Sequence, residues 1–106
     1  LTLEEAKNIL RIDTNDEDIH IQTLIDALPT YIFERTGYPI DKQNAEPICR
    51  LLEKFLVYKF YINDEEVNYL DRTIESLITT LKFKVASLIS EEESGEQAAI
   101  VDDVLP

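Results

Sequence analysis

The stretch that decides the fold is Leu1-Thr2-Leu3-Glu4-Glu5-Ala6-Lys7-Asn8-Ile9-Leu10-Arg11-Ile12-Asp13, then Asn15-Asp16-Glu17-Asp18 and the apolar run from Ile21 to Leu28. Thr2 and Glu5 have capping-box spacing, in which hydroxyl and carboxylate each satisfy an amide that a helix start leaves unpaired. Ala6, Ile9 and Leu10 recur at helical spacing, which predicts a short helix over residues 3–11 with Ile12 tucked beneath it. A second helix is predicted from Thr14 or Asn15, both suited to capping. Asp16, Glu17 and Asp18 then fall in its first turn, where the helix dipole favours negative charge. No catalytic group stands out in this stretch; it reads as the opening of a helical domain.

The second helix continues outward from there. Ile21, Leu24, Ile25, Leu28 and Ile32 make one apolar stripe, and Gly37 with Pro39 terminates it. Pro29 removes a backbone donor and crowds the preceding turn, so a kink or break is expected there. Asn44 or Glu46 opens a third helix, with Pro47 tolerated in its first turn. Its main face is read as Ile48, Leu51, Leu52, Phe55, Tyr58 and Ile62. Leu56, Val57 and Phe60 widen that face until the helix is apolar on most sides. That pattern marks a central helix, or one that also contacts another subunit. Asn63-Asp64-Glu65-Glu66 forms a turn, and Leu70, Ile74, Leu77, Ile78 and Leu81 predict a fourth helix over roughly 68–82. Val85, Leu88 and Ile89 keep the helical period beyond Lys82, although Lys82-Phe83-Lys84-Val85 also alternates as a strand would; helix is the favoured reading.

The fold class expected is therefore all-α: a small bundle of about four helices with a flexible acidic C-terminal arm. Residues 1–90 are read as the body and 91–106 as the tail. With 106 residues the chain forms one domain, and two glycines and four prolines leave little room for the many tight turns of a β-sandwich. No apolar run approaches the ~20 residues of a membrane span, and the start lacks the character of a secretion signal.

Charge is the unusual property. The net charge is −12, from 22 acidic and 10 basic residues. Half of that excess lies in residues 91–106, where Glu91, Glu92, Glu93, Glu96, Asp102 and Asp103 meet no basic residue. The same segment carries an apolar patch from Ala98 to Val101, with Val104 and Leu105. Such a surface repels DNA phosphates, which argues against groove binding.

The candidate chemical sites fail one by one. Asp13, Asn15 and Glu17 alternate as in a calcium loop, but that loop needs glycine at its sixth position and glutamate at its twelfth, where this chain has Asp18 and Leu24. Glu75-Ser76-Leu77 looks like the modified serine of acyl carrier proteins, yet Ser76 sits inside a helical period with no loop before it. His20 has no second soft ligand beside it, so no metal site is assigned. The lone Cys49 lies beside Ile48, Leu51 and Leu52 and reads as a buried, unreactive thiol. No catalytic, cofactor-binding or metal residues are named, and the chain is not read as an enzyme.

The order and spacing at the start resemble the head–tail connector (adaptor) proteins of tailed bacteriophages. That family typically reads L-T-L-E-E-A-K-x-x-L-R-I-D, then D-E-D, then an apolar helix ending in T-G. Here the matching residues are Leu1, Thr2, Glu4, Glu5, Ala6, Lys7, Leu10, Arg11, Ile12 and Asp13, then Asp16, Glu17, Asp18, Ile25, Ala27, Thr36 and Gly37. The likeness covers about residues 1–82 and is strongest over 1–37; Pro29 departs from the usual small or polar helix former.

The resemblance implies a virion component at the head–tail junction, made in the bacterial host cytoplasm. Its partners would be the portal protein, the head-closure (stopper) or tail-completion protein, and copies of itself in a ring, dodecameric in the virion. Double-stranded DNA would pass through the lumen without specific binding, helped by an acidic wall. Subunit and portal contacts are then expected from Phe55, Tyr58, Phe60 and Tyr61, and from Ile100, Val101, Val104 and Leu105 in a tail that orders on the portal. The rival reading is an acidic interaction module, a DNA mimic or inhibitor that binds a basic host protein.

Overall fold

A computed structural model describes the backbone of residues 1–104 and the side chains of residues 1–89. Five α-helices and one 3-10 turn follow one another: α1 Leu3–Leu10, α2 Asp18–Thr36, α3 Ile40–Gln43, α4 Pro47–Ile62, the 3-10 turn Glu65–Leu70, and α5 Asp71–Val104. No strand occurs among the described residues. The expected arm over 91–106 falls on residues whose side chains lie outside those described.

The capping box forms as the sequence predicts. Thr2 Oγ1 accepts from the Glu5 amide at 3.1 Å, and Glu5 Oε1 accepts from the Thr2 amide at 3.0 Å. These bonds hold the Glu5 carboxyl below its ordinary pKa, the backbone donor contributing most. Arg11 ends α1 in the left-handed region at φ 59°, and Ile12 folds under to pack on the core.

The start of α2 differs from expectation. Neither Thr14 nor Asn15 caps it; the helix begins at Asp18 after Glu17, which makes no side-chain cap. The reason is competition for the polar groups. Asn15 Oδ1 accepts from Lys7 Nζ at 2.9 Å, and the Glu17 carboxylate accepts from the Tyr61 hydroxyl. Asp18 alone of the three acids falls in the first turn, where it also pairs with Lys7 at 2.8 Å.

Pro29 does not break α2, which runs through it to Thr36. The helix is held from both sides of the proline by buried Ile21, Ile25, Leu28 and Ile32. It ends where the sequence says it should. Gly37 takes φ 81°, and its amide donates to Phe33 O at 2.7 Å. The short α3 that follows went unpredicted, because four residues are too few to show a period.

α4 opens as predicted, with Glu46 accepting from the Ile48 amide at 3.4 Å and Pro47 in the first turn. Its core face needs correction. The residues that bury are Cys49, Leu52, Glu53, Leu56 and Val57, whereas Leu51 and Ile62 stay 44% and 38% exposed. The fourth helix is also re-divided. Residues 65–70 form the 3-10 turn, α5 starts at Asp71, and the helix continues past Lys82 rather than turning into a strand. Val67, Leu70, Ile74, Ile78 and Leu81 bury, and Val85 and Leu88 pack on the rim of the core.

α2, α4 and α5 thus surround one core, with α1 laid across α2 and α4. Ion pairs pin the frame: Lys59 to Asp71 at the α4–α5 corner, Arg35 to Glu75 at 2.9 Å, and Lys84 to Glu46 at 3.6 Å. The first and last of these fix the direction of α5. It starts beside the C-terminal end of α4 and runs back past its N-terminal end.

Candidate protein-contact surface

α4 carries a second apolar stripe beside its core face. At about 100° per residue, Leu51, Phe55, Tyr58 and Ile62 fall within an arc of about 60°, centred about 120° round the helix from Cys49, Leu52 and Leu56. The latter three are fully buried in the core. Of the former, Phe55 and Tyr58 are half-buried and pack on the rim of the core, and Leu51 and Ile62 are exposed.

Neighbouring elements turn part of this stripe into a groove of about 380 Å³, walled by Ile9 of α1, Leu51, Phe55 and Tyr58 of α4, and Tyr69 and Leu70 of the 3-10 turn. Tyr69 is 70% exposed at its edge. Lys54 borders the groove and also a neighbouring polar recess, which it shares with Arg50, Asn44, Glu5 and Leu1. Among the described residues, neither Arg50 nor Lys54 forms an ion pair.

The four aromatics singled out in the sequence do not form one patch. Phe55 and Tyr58 share the groove. Phe60 points to the far side of α4 and meets the Tyr31 ring edge-on, centroids 5.3 Å apart at 80°. Tyr61 reaches back to Glu17 and lies 5.9 Å from the His20 ring. Ile100, Val101, Val104 and Leu105 lie outside the described side chains. Tyr69, Ile9 and Lys54 were missed by sequence reasoning. Tyr69 could have been found only from the turn geometry, since it precedes the buried Leu70 in a segment without helical period.

The groups that suggested chemistry are otherwise engaged. Asn15 and Glu17 hold Lys7 and Tyr61, as described, and Ser76 lies within α5, its carbonyl accepting from Thr80 Oγ1 at 3.0 Å. Among the described residues, no three His, Cys, Asp or Glu side chains converge as for a metal ion. Cys49 is fully buried, and burial pushes its thiol pKa up to about 12, with Glu46 and Glu53 adding to the shift. Among the described residues, no helix is long and apolar enough to cross a membrane.

The described residues form an all-helical domain with an apolar groove beside α4. The chain is a member of the phage gp6-like head-tail connector protein family, whose model matches residues 1–101. The match runs well past residue 82 and takes in most of the acidic segment. No curated protein and no solved structure matches the chain. The protein is accordingly a structural connector of a phage virion, in a family not known for catalysis.

Proposed function

We propose that the chain binds beneath the portal ring as a ring of its own, extending the DNA channel toward the head-closure or tail-completion protein and the tail. The observation that carries this reading is the second apolar side of α4. A core needs one apolar side of a helix; a further stripe that runs from the core rim at Phe55 and Tyr58 to exposed Leu51 and Ile62 is the kind of surface that subunit association buries. Phe60, Tyr61, Ile100, Val101, Val104 and Leu105 are further contact candidates. The body over 1–90 and the acidic segment over 91–106 serve as separate parts of the assembly. A net charge of −12 suits a channel wall that lets double-stranded DNA pass without binding it. Assembly takes place in the bacterial host cytoplasm, where the protein is made.

Negative-stain electron microscopy of the purified protein, alone and mixed with portal rings of the same genome, tests the reading. Rings, or portals lengthened by an axial layer, are expected. Bare portals beside small monomers would overturn it in favour of an acidic module that binds a basic host protein.

A further inference from the structure

The groove beside α4 is apolar inside and basic at one border, on a chain that is otherwise strongly acidic. Leu51, Phe55, Tyr58 and Tyr69 offer the apolar contact, and Lys54 and Arg50 the positive charge, with Glu5 the one acid in the shared polar recess. A matching ligand would carry apolar side chains interleaved with carboxylates and no cation. The C-terminal segment is of this kind. Residues 91–106 contain six acids and no base, and Ile100-Val101-Asp102-Asp103-Val104-Leu105 sets two apolar pairs around two aspartates. Ile100, Val101, Val104 and Leu105 supply apolar residues, and Asp102 and Asp103 the carboxylates, that such a groove would take.

We propose that the groove of one subunit receives the segment 91–106 of a second copy of the chain. The inference rests on the ring reading above and specifies the contact that builds it. Direction argues for a second copy over the subunit's own segment. α5 starts at Asp71, next to the groove-lining Leu70, and by Lys84 has reached Glu46 at the opposite end of α4. The chain therefore enters residue 91 heading away from its own groove. A groove beside the middle of α4 and a ligand segment that follows the end of α5 beyond Glu46 make a heterologous, head-to-tail contact, which closes into a ring when the rotation per subunit allows it.

The test is disulfide trapping between full-length chains of different tag, one carrying Tyr69→Cys and the other Val104→Cys, free and on portal rings. Buried Cys49 stays in both, and the untagged parent chain controls for it. The expected result is a disulfide between unlike tags, about tenfold above that from an exposed Phe83→Cys control. Lys54→Glu should lower the yield several-fold, and Asp102→Lys with Asp103→Lys should restore it in that background; rescue by charge exchange is something a misfolded variant cannot show. Three results would overturn the proposal: no trapping on assembled rings, trapping only within a single chain carrying both cysteines, or trapping of Val104→Cys to the portal alone. Failure of the ring reading is separately visible. Portals would then stay bare in micrographs even if the chains trap one another in solution.

Discussion

The Gln43 side-chain amide of α3 donates a 2.9 Å hydrogen bond to the carbonyl of Pro29 in the middle of α2. The same nitrogen donates to the Tyr38 carbonyl at 3.2 Å, so one buried glutamine ties the α2–α3 corner to the helix it follows. Replacing Gln43 by methionine keeps the volume and removes both bonds. We expect a loss of about 1–3 kcal/mol, because two carbonyls lose a donor beside the proline. Urea unfolding of the variant measures this, and a change below ~0.5 kcal/mol would show the tether to be incidental.

Local rules wrote the Thr2–Glu5 box, the Gly37 terminator and the Glu46-Pro47 start, and each stands as read, since the interacting groups lie within a few residues. Asn15 misled because its capping oxygen was taken by Lys7 from another helix, a choice that sequence spacing does not record. α4 misled for a related reason. With apolar residues on both sides, its period identifies two faces but not which one the core takes; packing by α2 and α5 decided for Leu52 and Leu56. The groove needed Tyr69, placed by a 3-10 turn that has no sequence period. The sequence therefore disclosed the aromatic content of the groove before its location.

The two sides of α4 should respond differently to truncation. Leu52 is fully buried, so Leu52→Ala is expected to cost about 2–5 kcal/mol in unfolding free energy through lost burial and the cavity left behind. Leu51→Ser, on the exposed side, should cost less than about 1 kcal/mol while reducing ring or portal association by at least tenfold. Chemical denaturation and sedimentation on the same samples give both numbers. Equal losses of stability for the two variants would place Leu51 in the core and remove the basis of the contact surface.

Cys49 links burial to pH. Burial raises its pKa to about 12, with the Glu46 and Glu53 charges adding to the effect, so the folded state keeps a proton that the unfolded chain releases at the usual thiol value near 9. A raised pKa means that this contribution is fully present below the unfolded value and is lost as pH climbs from about 9 toward 12. The expected slope from one thiol is about 1.4 kcal/mol per pH unit. Cys49→Ala should flatten the alkaline limb of stability measured by urea midpoints between pH 8 and pH 11, with Tyr38, raised by burial, and Tyr61, raised by its hydrogen bond to Glu17, still contributing. Thiol reagents should label Cys49 slowly in the native protein and quickly in urea; rapid native labelling would mean the helix face is not closed.

Ionic strength separates apolar assembly from charge mimicry. A protein that imitated DNA with −12 charges would hold a basic partner by long-range attraction, and its affinity would fall steeply as salt shortens the screening length. A ring built on Leu51, Phe55, Tyr58 and Tyr69 loses only the border contribution of Lys54 and Arg50, and added salt also relieves repulsion between acidic neighbours. Association with portal rings should therefore change by less than about threefold between ~0.1 M and ~0.5 M NaCl, followed by sedimentation or light scattering. A drop of a hundredfold or more would mean that carboxylates carry the binding, and the groove would then lose its place as the principal contact.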